Sequence, residues 1–206
     1  MLKLTFLAGL VIFAISSMYF YFAGKNKNGL NSAFLVSFVT LISYVLMWQG
    51  DIVVVTEAGQ RIFWTRWLFY IVSCTLLMVE IAQLKSIQGG GLVQLLYLTA
   101  IVMFAGFLAA RDVTASKWVY FVISCVAYIL LVIRVLSTKT ATSKWVNTYV
   151  FVGWTVFPIV FLLAPTGLGL IGAAVANLLY LVLDAYTKIV FSIHLARASG
   201  RELSPQ

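Results

Sequence analysis

The chain has 206 residues, of which 63% are hydrophobic and only 10% charged, and its mean hydropathy is +1.03. Soluble domains carry about 25% charged residues, so a water-soluble enzyme and a disordered chain both fit poorly. The net charge of +8 would point to nucleic acid in a soluble protein. Here the charges sit between apolar runs, which favours the positive-inside reading and no nucleic-acid partner.

Seven apolar segments fall at approximately 3–24, 30–49, 62–84, 91–110, 115–137, 144–165 and 168–196. At about 20 residues per span, they fill the chain and leave one membrane domain over 1–206. In the first, the apolar run 4–23 exceeds the 7–15 residues of a signal core, and it is read as a retained helix. Residues 24–29 form a polar turn. Gly50 and Asp51 open the second loop, where β-branched residues on both sides of Glu57, Ala58 and Gly59 predict a short hairpin. Gly89, Gly90 and Gly91 separate the third segment from the fourth, and Arg111 and Asp112 end the fourth. A polar stretch at 137–144 ends the fifth, and Ala164, Pro165, Thr166 and Gly167 end the sixth. The predicted fold is an all-α membrane protein of seven transmembrane helices.

With the N-terminus outside, the inner loops and tail hold Lys25, Lys27, Lys85, Arg134, Lys139, Lys144, Arg197 and Arg201. The outer side holds Lys3, Arg61, Arg111 and Lys117. Eight basic residues against four predict N-out and C-in. Trp48, Trp64, Trp67, Trp118 and Trp145 lie near helix ends, where indole rings favour the interface, whereas Trp154 lies deep in the sixth segment. Cys74 and Cys125 fall inside apolar runs with no metal-ligand spacing, and read as small buried residues rather than a disulfide. No metal site is expected.

A charge at the centre of a membrane helix costs roughly 2.5–3.5 kcal/mol on insertion scales. Arg66, Glu80, Asp184 and Lys188 nevertheless lie well within the spans, and His194 sits near the inner end of the seventh. His194 reads as interfacial. Asp184 and Lys188 are one turn apart, about 6 Å along one helix face. They can be an ion pair that eases insertion. Alternatively, a desolvated lysine can form a Schiff base with an aldehyde, and a protonated imine needs a nearby anion. On the third helix, Arg66, Phe69, Ser73 and Glu80 fall within about 60° of one another. That face carries a cation, a ring, a hydroxyl and a carboxyl in order from outside to inside. Glu80 alone could be a snorkelling residue; beside the Asp184/Lys188 pair, a proton path is the better reading.

These features resemble the microbial rhodopsins along the whole chain. The lysine of the stretch Leu183-Asp184-Ala185-Tyr186-Thr187-Lys188 falls where that family attaches retinal. Trp154, Phe157, Pro158 and Phe161 look like its Trp–aromatic–Pro–aromatic pocket wall, and Arg66 matches its extracellular arginine. Tyr70 and Cys74 fall where pocket residues occur. Phe121, Ser124, Cys125 and Tyr128 match the side around the ionone ring, and Tyr44 matches a tyrosine that bonds the last-helix aspartate. Phe157 replaces a common tyrosine, which implies one hydrogen-bond donor fewer to Asp184. The Phe69, Ser73, Glu80 combination is similar to the schizorhodopsins, inward proton pumps, and to the related Antarctic rhodopsins. Heliorhodopsins have the opposite orientation, which the loop charges oppose.

The resemblance implies all-trans-retinal on Lys188 as a protonated imine, a cell-membrane location and a homo-oligomer, a trimer by analogy. Asp184 is then the counter-ion, because Phe69 removes the usual second carboxylate. Opposite charge at close range favours both ionised forms, so Asp184 is a poor proton acceptor and Arg66 makes it poorer. Glu80 either accepts the proton or polarises a water chain towards the cytoplasm. One proton moves inward per cycle. The rivals are a light sensor with the same chromophore and a retinal-free seven-helix transporter or receptor.

Overall fold

The computed structural model describes residues 1–24, 30–50, 52–56, 59, 61–138 and 143–198. The turn containing Lys25 and Lys27, the hairpin-tip residues Glu57 and Ala58, the loop residues 139–142 and the tail beyond 198, including Arg201, lie outside the described residues. Among the described residues seven segments are long and apolar enough to span a membrane. Within hydrocarbon every backbone N–H and C=O must be satisfied inside the segment, which selects helices for these runs. The helices are α1 (Leu2–Gly24), α2 (Leu30–Gln49), α3 (Trp64–Leu84), α4 (Gly90–Arg111), α5 (Ser116–Ser137) and α6 (Ser143–Leu163). The seventh span is composite: α7 (Ala173–Asp184), a π-helical turn (Ala185–Val190) and α8 (Phe191–Ala198).

Consecutive helices pack side by side, and α1 closes the ring against α7. Between α2 and α3, β1 (Val54–Val55) pairs antiparallel with β2 (Arg61–Ile62), with Val54 opposite Ile62 and Val55 opposite Arg61. This is the hairpin expected from the β-branched flanks. The main core lies between α3, α4, α5, α6 and α8, around Leu77, Met78, Leu131, Val150 and Phe191. A second cluster places Phe13 flat against Tyr44, with centroids 5.5 Å apart at 13°.

The helix boundaries match the sequence reading to within two residues except at the junction of the sixth and seventh spans. The sixth helix stops at Leu163 rather than 165, and the seventh begins at Ala173 rather than 168. Pro165 disfavours helical geometry in the residue before it. The chain beyond then turns back on the carbonyls that α6 leaves free: Leu168 N donates to Leu162 O at 2.7 Å and Ile171 N to Leu163 O at 2.9 Å. The apolar residues Leu168, Leu170 and Ile171 thus belong to a turn.

Candidate functional site

Asp184 is fully buried at the end of α7, and Lys188 is buried within the π-helical turn that follows. Lys188 Nζ lies 2.9 Å from Asp184 Oδ1, an ion pair across one turn. The other carboxylate oxygen, Oδ2, accepts hydrogen bonds from Tyr44 Oη at 2.8 Å and Tyr70 Oη at 2.5 Å. Tyr70 also holds its ring 3.8 Å from Lys188 Nζ, centroid to nitrogen. A buried carboxylate is stable when paired and hydrogen-bonded on its remaining lone pairs, and Asp184 has both. The expectation of a missing donor is therefore corrected. Phe157 supplies none, but Tyr70, read only as a pocket residue, takes that place from α3.

Lys188 opens onto a cavity walled by α3 to α6 and the seventh span. Tyr70 and Cys74 line it from α3, Phe121, Ser124, Cys125 and Tyr128 from α5, and Trp154, Phe157, Pro158 and Phe161 from α6. The sequence reading thus named one contiguous wall, drawn together from three helices and Lys188. Its aromatic surfaces interlock: Phe121 and Phe161 stack at 5.2 Å, and Tyr70 meets Phe157 edge-on at 6.1 Å. Pro158, inside α6, is part of the same wall. The few hydroxyls are mostly satisfied, Ser124 Oγ donating to Val102 O at 2.9 Å and Tyr128 bonding Thr155 Oγ1 at 2.7 Å. Cys74 and Cys125 are both free thiols.

Arg66 lines the cavity too, 7% exposed, with its guanidinium 4.9 Å over the Tyr180 ring. The ion pair of Asp184 among the described residues is with Lys188 and not with Arg66, so Arg66 acts on Asp184 through space. The rest of the α3 face is turned elsewhere. The cavity side of α3 is Arg66, Tyr70, Cys74 and Leu77, while Phe69, Ser73 and Glu80 do not line it. At 100° per residue the two sets are centred about 75° apart. Ser73 and Glu80 are nonetheless buried, and Glu80 is bonded to Ser32 Oγ of α2. That face looks toward α2, and Phe69 is half-buried on it.

Several residues of the site were not singled out from sequence. Asn177 and Tyr180 line the cavity and share one face of α7 with Asp184, at spacings of three and four residues. That spacing was a readable signal. Trp67, taken as interfacial, lines the cavity. Lys85 was counted only as a loop charge. It is fully buried just past α3, where Nζ donates to Val135 O, to Thr138 O at 2.7 Å and to Asn147 Oδ1 at 2.7 Å. Burial pushes its pKa below the usual lysine value. His194 is exposed and meets Trp145 edge-on at 6.2 Å, as an interfacial residue should.

A buried lysine with an anchored counter-ion, facing an aromatic cavity inside seven membrane-spanning helices, defines an integral membrane protein built to hold an apolar carbonyl compound. The profile of the bacteriorhodopsin-like protein family matches residues 1–200, and the chain belongs to that family. It is 37% identical to schizorhodopsin 4, whose crystal structure superimposes with a TM-score of 0.89 over 96% of this chain and all of that one. This places it among the microbial rhodopsins of the schizorhodopsin group. Bacteriorhodopsin of Halobacterium salinarum is 25% identical over 211 aligned positions, covering 92% of this chain and 80% of the relative. The thermophilic rhodopsin from Rubrobacter xylanophilus, at 22% identity, shares the fold with a TM-score of 0.87 over 99% of this chain and 98% of its own. The family carries retinal on a lysine as a Schiff base, and the cavity fits it: a buried amine and a largely aromatic wall line the same space.

Proposed function

We propose that the protein is a light-driven inward proton pump with retinal on Lys188. It sits in the cell membrane with its N-terminus outside and works as a homo-oligomer, a trimer by family analogy. Two buried lysines compete for the attachment, and the surroundings favour Lys188. It borders the cavity, whereas Lys85 points its three protons at three oxygen atoms at the ends of α5 and α6.

Retinal supplies the absorption of light and the isomerisation that displaces the charged nitrogen. Everything else falls to this chain. The observation that carries the direction is the crowding of Asp184, whose carboxylate already has Lys188, Tyr44 and Tyr70 as partners. Three partners stabilise the anion. Protonating it would forfeit hydrogen bonds worth about 1.5–3 kcal/mol each to a charged group. Phe69 cannot take a proton, and the described interior holds one further carboxyl, Glu80, towards the other end of α3. Glu80 serves release on the cytoplasmic side, as acceptor or as the group that polarises a water chain. Arg66 and the polar face of α7 border the entry from outside.

Illuminated cells in weak buffer test the direction. The medium should become alkaline, and a protonophore should abolish the signal. Light-driven acidification with N-out topology established would overturn the proposal, and a signal enhanced by the protonophore would mean that another ion is pumped.

A further inference from the structure

Lys188 stands in a π-helical turn, a hydrogen-bonding pattern that is rare and concentrates at functional positions. Such a turn admits a residue more than the α-helix would, and it persists when its surroundings hold it. Those surroundings are on α6. Tyr149, 6% exposed, donates its hydroxyl to the backbone oxygen of Tyr186, two residues before Lys188. The same oxygen accepts the Phe191 N–H from the far end of the turn. The Tyr149 ring stacks on that of Tyr186, 4.5 Å between centroids at 17°, and lies 4.7 Å from that of Phe191.

One turn further along α6, Gly153 lets the two segments touch. A Cβ there would lie 3.2 Å from Thr187 Cγ2 and 3.3 Å from Tyr186 Cε1, tighter than ordinary packing. From within the seventh span, Thr187 Oγ1 donates to Leu183 O at 2.7 Å. Tyr149 and Gly153 thus meet the two residues that immediately precede Lys188.

We propose that Tyr149 is the positioning residue for Lys188: its hydroxyl and ring, with the close approach allowed by Gly153, hold the π-helical register that sets Nζ against Asp184. The role rests on Lys188 as the attachment site. Were the turn to relax to α-helical register, every residue from Tyr186 onward would rotate about the axis, and the direction from which Nζ meets Asp184 Oδ1, now 2.9 Å away, would change.

Tyr149→Phe keeps the ring and removes the hydroxyl. Hydrogen exchange followed by mass spectrometry on the retinal-free protein reads the turn directly. Amides of residues 185–191 should exchange about fivefold faster, the size expected for one net hydrogen bond, with α1 and α4 unchanged. With retinal added, the absorption maximum should move. Gly153→Ala, which presses α6 away from the turn, should give the same regional exchange and a displaced maximum. Wild-type exchange over 185–191 in both variants overturns the proposal, and so does faster exchange with an unmoved maximum, since that is a structural role only. Lys188→Ala run alongside separates the two readings. Pigment in that variant would overturn the attachment site, whereas the clamp on the turn is judged on the exchange data.

Discussion

Removing the charge of Asp184 while keeping its shape gives the sharpest test of the site. In Asp184→Asn the Lys188 nitrogen loses an anion 2.9 Å away. At that distance and an effective dielectric constant of about 20, two unit charges attract by about 6 kcal/mol. At 1.36 kcal/mol per tenfold change, the balance between protonated and neutral nitrogen shifts towards neutral by as much as about four powers of ten. The tyrosine hydroxyls can reorient towards the new amide and recover part of this, so that figure is an upper limit. Arg66 deepens the effect, since the buried groups around the cavity would then carry two cations and no anion. The assay is the absorption spectrum of the retinal-reconstituted variant across neutral and alkaline pH. If protonation survives at neutral pH the band moves to the red, and where it fails the band collapses far to the blue. Asp184→Glu should restore much of the wild-type behaviour. A spectrum and titration within one power of ten of wild type would refute the reasoning that Asp184 is the principal counter-ion.

Lys188→Ala should form no visible pigment with excess retinal, while Lys85→Met should form one with the wild-type maximum and lose about 3 kcal/mol of stability, from three oxygens stripped of a charged donor. A thermal bleaching curve measures the second, and loss of colour in Lys85→Met would transfer the attachment to that lysine. Glu80→Gln should keep its colour and pump at least about tenfold more slowly, the low end of what a proton-transfer group contributes; undiminished light-driven pH change at equal expression would return Glu80 to a packing role. A Cβ on Gly9 would lie 2.9 Å from Tyr44 Cγ and closer still to two other ring atoms. Gly9→Ala should therefore push Tyr44 off Asp184 and move the absorption maximum in the same direction as Tyr44→Phe, and an unmoved maximum would mean that the ring yields without losing its hydrogen bond.

The parts of the site legible in the sequence were those fixed by spacing along one helix. Asp184 and Lys188 meet because they are one turn apart, and Trp154, Phe157, Pro158 and Phe161 share a wall because their offsets of three and four keep them on one side of α6. The hairpin was legible because alternate residues must flank a tight turn. What depends on neighbouring helices was not. Helical angles group Arg66, Phe69, Ser73 and Glu80, yet they carry no information on which way each member points: Arg66 lines the cavity, whereas Glu80 bonds α2. Tyr70 stood beside this face and turned out to bond Asp184. The π-helical turn was invisible because residues 185–190 are compatible with an ordinary helix, and it is α6 that grips them. Lys85 looked like any loop cation until the ends of α5 and α6 converged on it.

The rotation of the α3 face bears on the route a proton would take. Were Ser73 and Glu80 on the cavity wall, retinal itself would fill the path between Lys188 and Glu80. Turned towards α2, they lie outside the cavity that Lys188 borders. α2 contributes buried Ser37, Thr40 and Ser43 to its interior face, and Ser73 is buried on α3. The hydroxyls of Ser37, Ser43 and Ser73 have no hydrogen-bond partner among the described residues. Buried hydroxyls in this condition are satisfied by water where the space is polar enough to hold it. Tyr44, next to Ser43, touches Asp184, and Ser32, further back along α2, touches Glu80. One helix therefore runs from the counter-ion to the inner carboxyl with hydroxyls between them. On the other side of Lys188 the polar groups are Asn177, Tyr180 and Arg66, which border the cavity itself. The inward reading proposed above would thus have a proton leave along the hydroxyls of α2 and enter past the cation of Arg66. That cation disfavours a resident proton beside it, so on this reading uptake would follow arrival directly. On the inward reading proposed above, the hydroxyls of α2 and Ser73 would serve the exit, and Arg66 would keep the entry free of a resident proton.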